Sequence, residues 1–162
     1  MDPHQHAFHL GSLLANLQSL EFILRAYFAS LQNAATIGLP HGVDVYTVPV
    51  GGTLPESPFT NYDTLGQLIA KYNELARQQD RQELDTSLVE VRDALAHGRI
   101  SAAATEETLR LIKFSKPKNG IVCVTFNSVM DDAWFANQKR RVRDSMMIVA
   151  ANVTPFVKVV GA

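Results

Sequence analysis

The sequence predicts a mainly α protein: four helices, a long loop after the first helix, and a small β-hairpin before the last. Three observations carry this. Leu10, Leu13, Leu17, Leu20, Leu24, Tyr27 and Leu31 recur in steps of three and four, the period of one helix face. Three more such stripes follow, at Leu65–Leu68–Ile69–Tyr72–Leu75, at Leu84–Leu88–Val91–Leu95, and at Trp134–Phe135–Gln138–Val142–Met146–Val149. Between the third and fourth stripes, two β-prone runs flank Asn119-Gly120, a strong hairpin signal.

The first helix is expected over 8–35. Leu14, Ile23 and Phe28 widen its stripe beyond a two-stranded coiled-coil seam, which argues for a bundle helix. Glu21 and Arg25 form an i,i+4 pair of the supportive polarity. Gly38 and Pro40 end the element. The stretch 38–62 is dense in glycine and proline and reads as a long loop, with a short strand possible at 43–48. A loop of this length either covers a site, binds a partner, or lies on the surface as an insertion.

Asn61 or Asp63 is expected to cap the second helix. Asp80 with Glu83 resembles a capping box opening the third. After Gly98, residues 105–107 could start one helical turn, and 109–127 reads as the hairpin. Asp131 or Asp132 caps the last helix, which runs to about residue 151.

Length and composition narrow the class. A chain of 162 residues suits one domain, 1–162, with a real core. Apolar content of 46% against 19% charged residues reads as globular rather than disordered. The net charge of −1 does not announce a nucleic-acid binder, so any RNA contact must come from a local patch. The single cysteine, Cys123, excludes an intramolecular disulfide and a cysteine-rich zinc site; lying in an apolar run, it is expected to be buried. His4, His6 and His9 make a metal site conceivable, but no cluster of carboxylates or cysteines is gathered near them in sequence. No cofactor or metal is expected. No signal pattern and no transmembrane span are visible, so the protein is expected to be cytoplasmic.

Residues 89–99 hold the candidate chemistry. At about 100° per residue, Leu84, Leu88, Val91 and Leu95 fall within roughly 60° of arc. Arg92 sits on the shoulder of that arc, and Val89, Ala96, Asp93 and His97 continue to the far side. The helix therefore has a second face: a small apolar seat flanked by Arg92, Asp93 and His97. Asp93 and His97 are four residues apart and so neighbours, and a carboxylate beside an imidazole orients the ring. Arg92 brings a forked donor pattern suited to phosphate. Acid–base chemistry at a phosphodiester needs such a combination. The same residues also fit ordinary surface charges, with His97 favoured by the negative end of the helix dipole. Gly98 is expected to end the helix in the left-handed region.

The run Arg92-Asp93-Ala94-Leu95-Ala96-His97-Gly98, at a helix end within a helical chain, resembles the HEPN superfamily (higher eukaryotes and prokaryotes nucleotide-binding). Its ribonuclease members carry Arg, a polar residue, a few further residues, then His. Arg92, Asp93 and His97 match these positions, with Asp standing where the family more often has Asn. The resemblance implies an up-and-down four-helix bundle that dimerises through the motif helices, bringing two Arg92–His97 sets into one cleft. It implies a metal-independent endoribonuclease, with His97 as general acid or base, Arg92 stabilising charge at phosphorus and Asp93 orienting. It also implies, for bacterial members, a toxin or phage-defence role with a neutralising protein partner.

Lys139, Arg140, Arg141 and Arg143 form the dense basic cluster of the last helix, readable as a solvated face or as phosphate contacts for RNA. Two other functions stay open. The fold could serve as a non-catalytic nucleotide- or protein-binding module, or as a purely structural helical dimer whose Arg92 and His97 lie apart.

Overall fold

The described residues form four helices and three short strands, in the order α1 (Pro3–Leu31), α2 (Leu65–Gln78), α3 (Leu88–His97), β1 (Arg99–Ser101), β2 (Arg110–Phe114), β3 (Val124–Val129) and α4 (Asp132–Ala150). This computed structural model describes residues 1–31, 47–102 and 108–153. The protein is mainly helical, with a small antiparallel sheet of order β1-β2-β3. Most of the strand expected at 43–48, the helical turn at 105–107 and the end of the first helix at 32–35 lie outside the described residues.

The chain divides into two compact units, one of residues 1–18 and 85–144, the other of 19–84 and 145–162. In the second unit, Leu20, Leu24, Tyr27, Leu65, Leu68, Ile69, Tyr72 and Val149 are buried, as the stripes require. The Tyr27 and Tyr72 rings meet edge to face with centroids 5.1 Å apart. Burial pushes the Tyr72 phenol above its ordinary pKa, against a hydrogen bond from Asn152. The Glu21–Arg25 pair forms at 3.0 Å. Arg25 also donates to the carbonyls of Pro58, Asn61 and Asp63, and so fixes the chain just before α2.

Several local expectations are corrected. α1 begins at Pro3, with Asp2 Oδ1 accepting from the backbone N–H groups of His4 and Gln5. Leu14 does not widen the buried stripe, for it is 41% exposed. Thr64, rather than Asn61 or Asp63, caps α2, in a capping box with Gln67. Asn61 and Asp63 are occupied instead by Arg25 and Lys71. The expected box of Asp80 and Glu83 opens no helix. Asp80 adopts φ 51°, and Leu84 is held outside helical geometry by the buried Asn73 side chain, which donates to its carbonyl and accepts from its N–H.

In the first unit, Leu13, Leu17, Leu88, Val91, Ala94, Leu111, Met130, Phe135 and Val142 form the buried set. The expected hairpin is present as β2 and β3, with Asn119 at φ 54° and Gly120 at φ 75° at its tip, the positive angles of a type I′ turn. Its second strand begins at Val124 rather than Ile121, and the register shifts between Lys113 and Phe114. Residues 116–125 are exposed, including Cys123, whose expected burial is therefore wrong: the hairpin tip is open on both faces. β1 was not expected; it adds Arg99–Ser101 antiparallel to β2. α4 starts as expected, with Asp131 Oδ1 accepting from Trp134 N.

Candidate functional site

The candidate site lies in the first unit, where α3 packs against β2. The start of α3 is fixed by Asp85, whose Oδ1 accepts from the backbone N–H and hydroxyl of Ser87. Arg141 of α4 donates to the other oxygen, at 2.8 Å from Nε and 2.7 Å from Nη2, and also to the Ser87 hydroxyl. Burial pushes the Asp85 carboxyl up, but the hydrogen bonds from Ser87 and Arg141 together outweigh it and hold the carboxyl below its usual range.

Leu88, Val91 and Ala94 turn inward, while Arg92 and Asp93 are half-buried and Ala96 and His97 exposed. The second face read from the sequence is thus the outward face of α3. Glu90 in the first turn and His97 in the last both complement the helix dipole.

Gly98 corrects one expectation. Its φ is −78° and its ψ −178°, ordinary extended backbone, so no left-handed conformation calls for glycine here. Space does. A Cβ at this position would stand 2.4 Å from the Ala94 carbonyl oxygen, 2.9 Å from Leu111 Cδ1 and 3.0 Å from the Ile112 carbonyl oxygen. The chain turns from α3 directly into β1, and only a residue without a side chain passes between helix and sheet.

Asp93 and His97 are brought together. Asp93 Oδ1 stands 3.6 Å from His97 Nε2. The other carboxylate oxygen receives a hydrogen bond from Lys113 of β2. That bond is the main reason the Asp93 carboxyl lies below the ordinary range; it exceeds a burial penalty, and the charges of Lys113, His97 and Arg92 add to it. Arg92 stands beside Asp93 electrostatically, and no hydrogen bond or ion pair joins it to the described residues.

Lys113 is one site residue that the sequence reading missed, as is Arg99. The signal for Lys113 was strand parity. Lys113 lies two residues from Leu111, hence on the same face of β2, and Leu111 is fully buried. A lysine on the apolar face of a strand needs an anionic partner, and Asp93 supplies it.

Two depressions open along this face. The larger, about 450 Å³, is lined by His97, Arg99, Phe114, Ser115, Pro117 and Val122. The smaller, about 240 Å³, is lined by Val89, Glu90, Asp93, Lys113, Thr125 and Phe126. His97 therefore opens to one and Asp93 to the other, and Arg92 lines neither.

The basic cluster on α4 does not gather into one anion site. Arg141 is taken up by Asp85 and Ser87, Lys139 lies 3.0 Å from His9 Nδ1, Arg140 donates to Asn137, and Arg143 stands 3.6 Å from Asp144. None of the four lines either depression. The N-terminal histidines are likewise apart in role. His6 is buried edge-on against the Phe135 ring, His9 reaches Asp132 at 3.4 Å, and His4 is exposed.

The arrangement offers an exposed imidazole at the mouth of a groove, a carboxylate behind it and a guanidinium from Arg99 in the same groove. Imidazoles exchange protons near neutral pH, and guanidinium groups attract phosphate. Compared with known protein families, with characterised proteins and with solved structures, the chain matches none. Among the described residues, no helix is long and apolar enough to cross a membrane.

Proposed function

We propose that the protein is a metal-independent endoribonuclease of HEPN type, acting as a dimer. The observation that supports it best is the joint position of Arg92, Asp93 and His97 on the outward face of α3, with His97 65% exposed at a groove that also holds Arg99. Two copies joined along α3 would pool two such sets, with Val89 and Ala96 as the close-packed seat.

In this reading one His97 imidazole takes the proton of the RNA 2′-hydroxyl. The 2′ oxygen attacks the adjacent phosphorus, and the bond from phosphorus to the 5′ oxygen breaks. The second copy's His97, as imidazolium, returns a proton to that leaving oxygen. Arg92 faces the charge that builds on the phosphoryl oxygens. Asp93 positions His97 and is itself positioned by Lys113. The products are a 2′,3′-cyclic phosphate and a 5′-hydroxyl. An enzyme of this kind is dangerous to its own cell, which is the reason to expect a neutralising protein partner and a toxin or phage-defence role.

One observation favours a second reading, a non-catalytic nucleotide- or protein-binding module. Asp93 accepts from Lys113 through one oxygen, while its other oxygen stands 3.6 Å from His97 Nε2, beyond hydrogen-bond distance, so the imidazole is not tightly oriented. One experiment separates the two: cleavage of a mixed RNA pool in EDTA by the wild type and by His97→Ala, with dimer content measured for both. Cleavage by the wild type that yields cyclic phosphate ends and vanishes in an intact His97→Ala dimer supports the nuclease. A dimeric wild type that cleaves nothing at high concentration supports the binding module.

A further inference from the structure

The larger groove carries chemistry that the proposed reaction does not use. Its wall is built by the end of α3, by β1 and by the end of β2 with the turn that follows. Arg99 lies with its guanidinium carbon 5.4 Å from the centre of the Phe114 ring. A cation over an aromatic face is held there by the ring quadrupole, so guanidinium and ring form a stacked, positively charged pair. Phe114 is 36% exposed and Val122 47%, so this pair is open to a ligand.

Among the described residues, no acidic side chain lines the groove. Lys116 and Lys118 are the sequence neighbours of the lining residue Pro117, and both are exposed. Lys113, by contrast, is engaged by Asp93 in the smaller depression. The groove thus combines an aromatic side chain and two cationic or protonatable groups, with exposed lysines next to it in sequence. A volume of about 450 Å³ is in the range of pockets that hold small-molecule-sized ligands.

We infer that this groove seats one unpaired nucleotide of a single-stranded RNA, its base stacked against the Phe114–Arg99 pair and its phosphate toward Arg99 and His97. The inference rests on the reading that the site acts on RNA. Stacking on a lone ring requires a base free of its own neighbours, which a regular duplex does not offer. The groove also says little about which base. The Ser115 hydroxyl donates to the Lys116 carbonyl and accepts from Cys123 N, so its one proton is committed. Recognition by a ring face is tolerant of sequence, since every base has one.

The test is fluorescence anisotropy with a labelled single-stranded 2′-O-methyl oligoribonucleotide, which cannot be cleaved through its 2′ position. Wild type, Phe114→Leu and Phe114→Trp are compared, each with the single strand and with the same strand annealed to its complement. Phe114→Leu keeps apolar volume and removes the ring, so affinity should fall about tenfold. Phe114→Trp should bind at least as well as the wild type, and the duplex should bind more weakly than the single strand. Circular dichroism melts establish that each variant is folded, and Arg99→Met, which removes the guanidinium without touching the ring, should weaken binding in its own right. Equal affinity of folded Phe114→Leu and wild type overturns the inference, as does equal affinity for duplex and single strand, or no binding by the wild type. Because the probe is not cleaved, the two proposals fail separately. Phe114-dependent binding by a protein that cleaves no RNA removes the nuclease and leaves the groove; cleavage with binding indifferent to Phe114 removes the groove and leaves the nuclease.

Discussion

Lys113 of β2 and Asp93 of α3 form an ion pair across the packing of helix on sheet, and the free oxygen of the same carboxylate faces His97 at 3.6 Å. One strand residue thereby sets the charge and orientation of the carboxylate beside the candidate imidazole. The Asp93 carboxyl lies below its ordinary value of 3.8, chiefly because of the Lys113 hydrogen bond. A carboxyl depressed on folding contributes stability above its unfolded value and loses that contribution as pH falls through the folded one. Lys113→Met should therefore lower stability at neutral pH, by about 0.5 kcal/mol given the partial exposure of the pair. It should also make the acid limb shallower below pH 3.8. Urea unfolding across pH checks this; identical acid limbs would show that the pair is inert.

Arg92 should separate binding from chemistry. It lines neither depression, so Arg92→Ala should change RNA affinity little. Under the proposed reaction it should still lower the single-turnover cleavage rate by about 100-fold or more, the usual cost of removing a group that meets transition-state charge. A variant that loses affinity and keeps its rate would assign Arg92 to substrate binding instead.

His6 gives a second pH dependence, of opposite chemical origin. Burial lowers its pKa below 6.5, with His9 adding to the effect, and its Nε2 has no hydrogen-bond partner among the described residues. Lys139 and Asp132 of α4 face the neighbouring His9. Here the unfolded chain binds the proton more tightly. Stability is fully present above pH 6.5 and declines as pH falls below it toward the folded pKa. His6→Phe should flatten the thermal midpoint between about pH 7 and 5, where the wild type declines. An unchanged slope would mean that His6 does not titrate on unfolding.

Asn73 is the costly polar residue of the second unit. It is 3% exposed and satisfies both backbone groups of Leu84. Asn73→Leu leaves a buried N–H and a buried carbonyl without partners, at about 1–3 kcal/mol each. Denaturant unfolding should report a loss of about 3 kcal/mol. A near-neutral result would mean that the chain before α3 rearranges to reach water.

What was legible in the sequence was written in local chemistry. The α2 and α4 stripes, the Asp131 cap, the Glu21–Arg25 pair and the Asn119-Gly120 turn each depend on residues a few positions apart. What was not legible depends on partners distant in sequence. β1 has three exposed residues and no alternation, and exists because β2 offers it an edge. Asp80 and Glu83 spell a helix start, but Asn73, from α2, holds Leu84 in a non-helical bond pair. Cys123 sits in an apolar run that the hairpin carries into solvent. At the candidate site, helical spacing brought Asp93 to His97, whereas Lys113 came from another element, visible only through its parity with Leu111.

The crowding around Gly98 separates two kinds of constraint in adjacent letters. Were every amino acid tried at each position and the survivors sequenced, position 98 would accept little but glycine even under selection for folding alone, because the Ala94 carbonyl blocks any Cβ. Position 97, exposed and making no packing contribution to the core, would drift freely under that selection and harden only when survival depended on what the protein does. The glycine that follows α3 is thus a witness to architecture, and the histidine before it is the one to question about purpose.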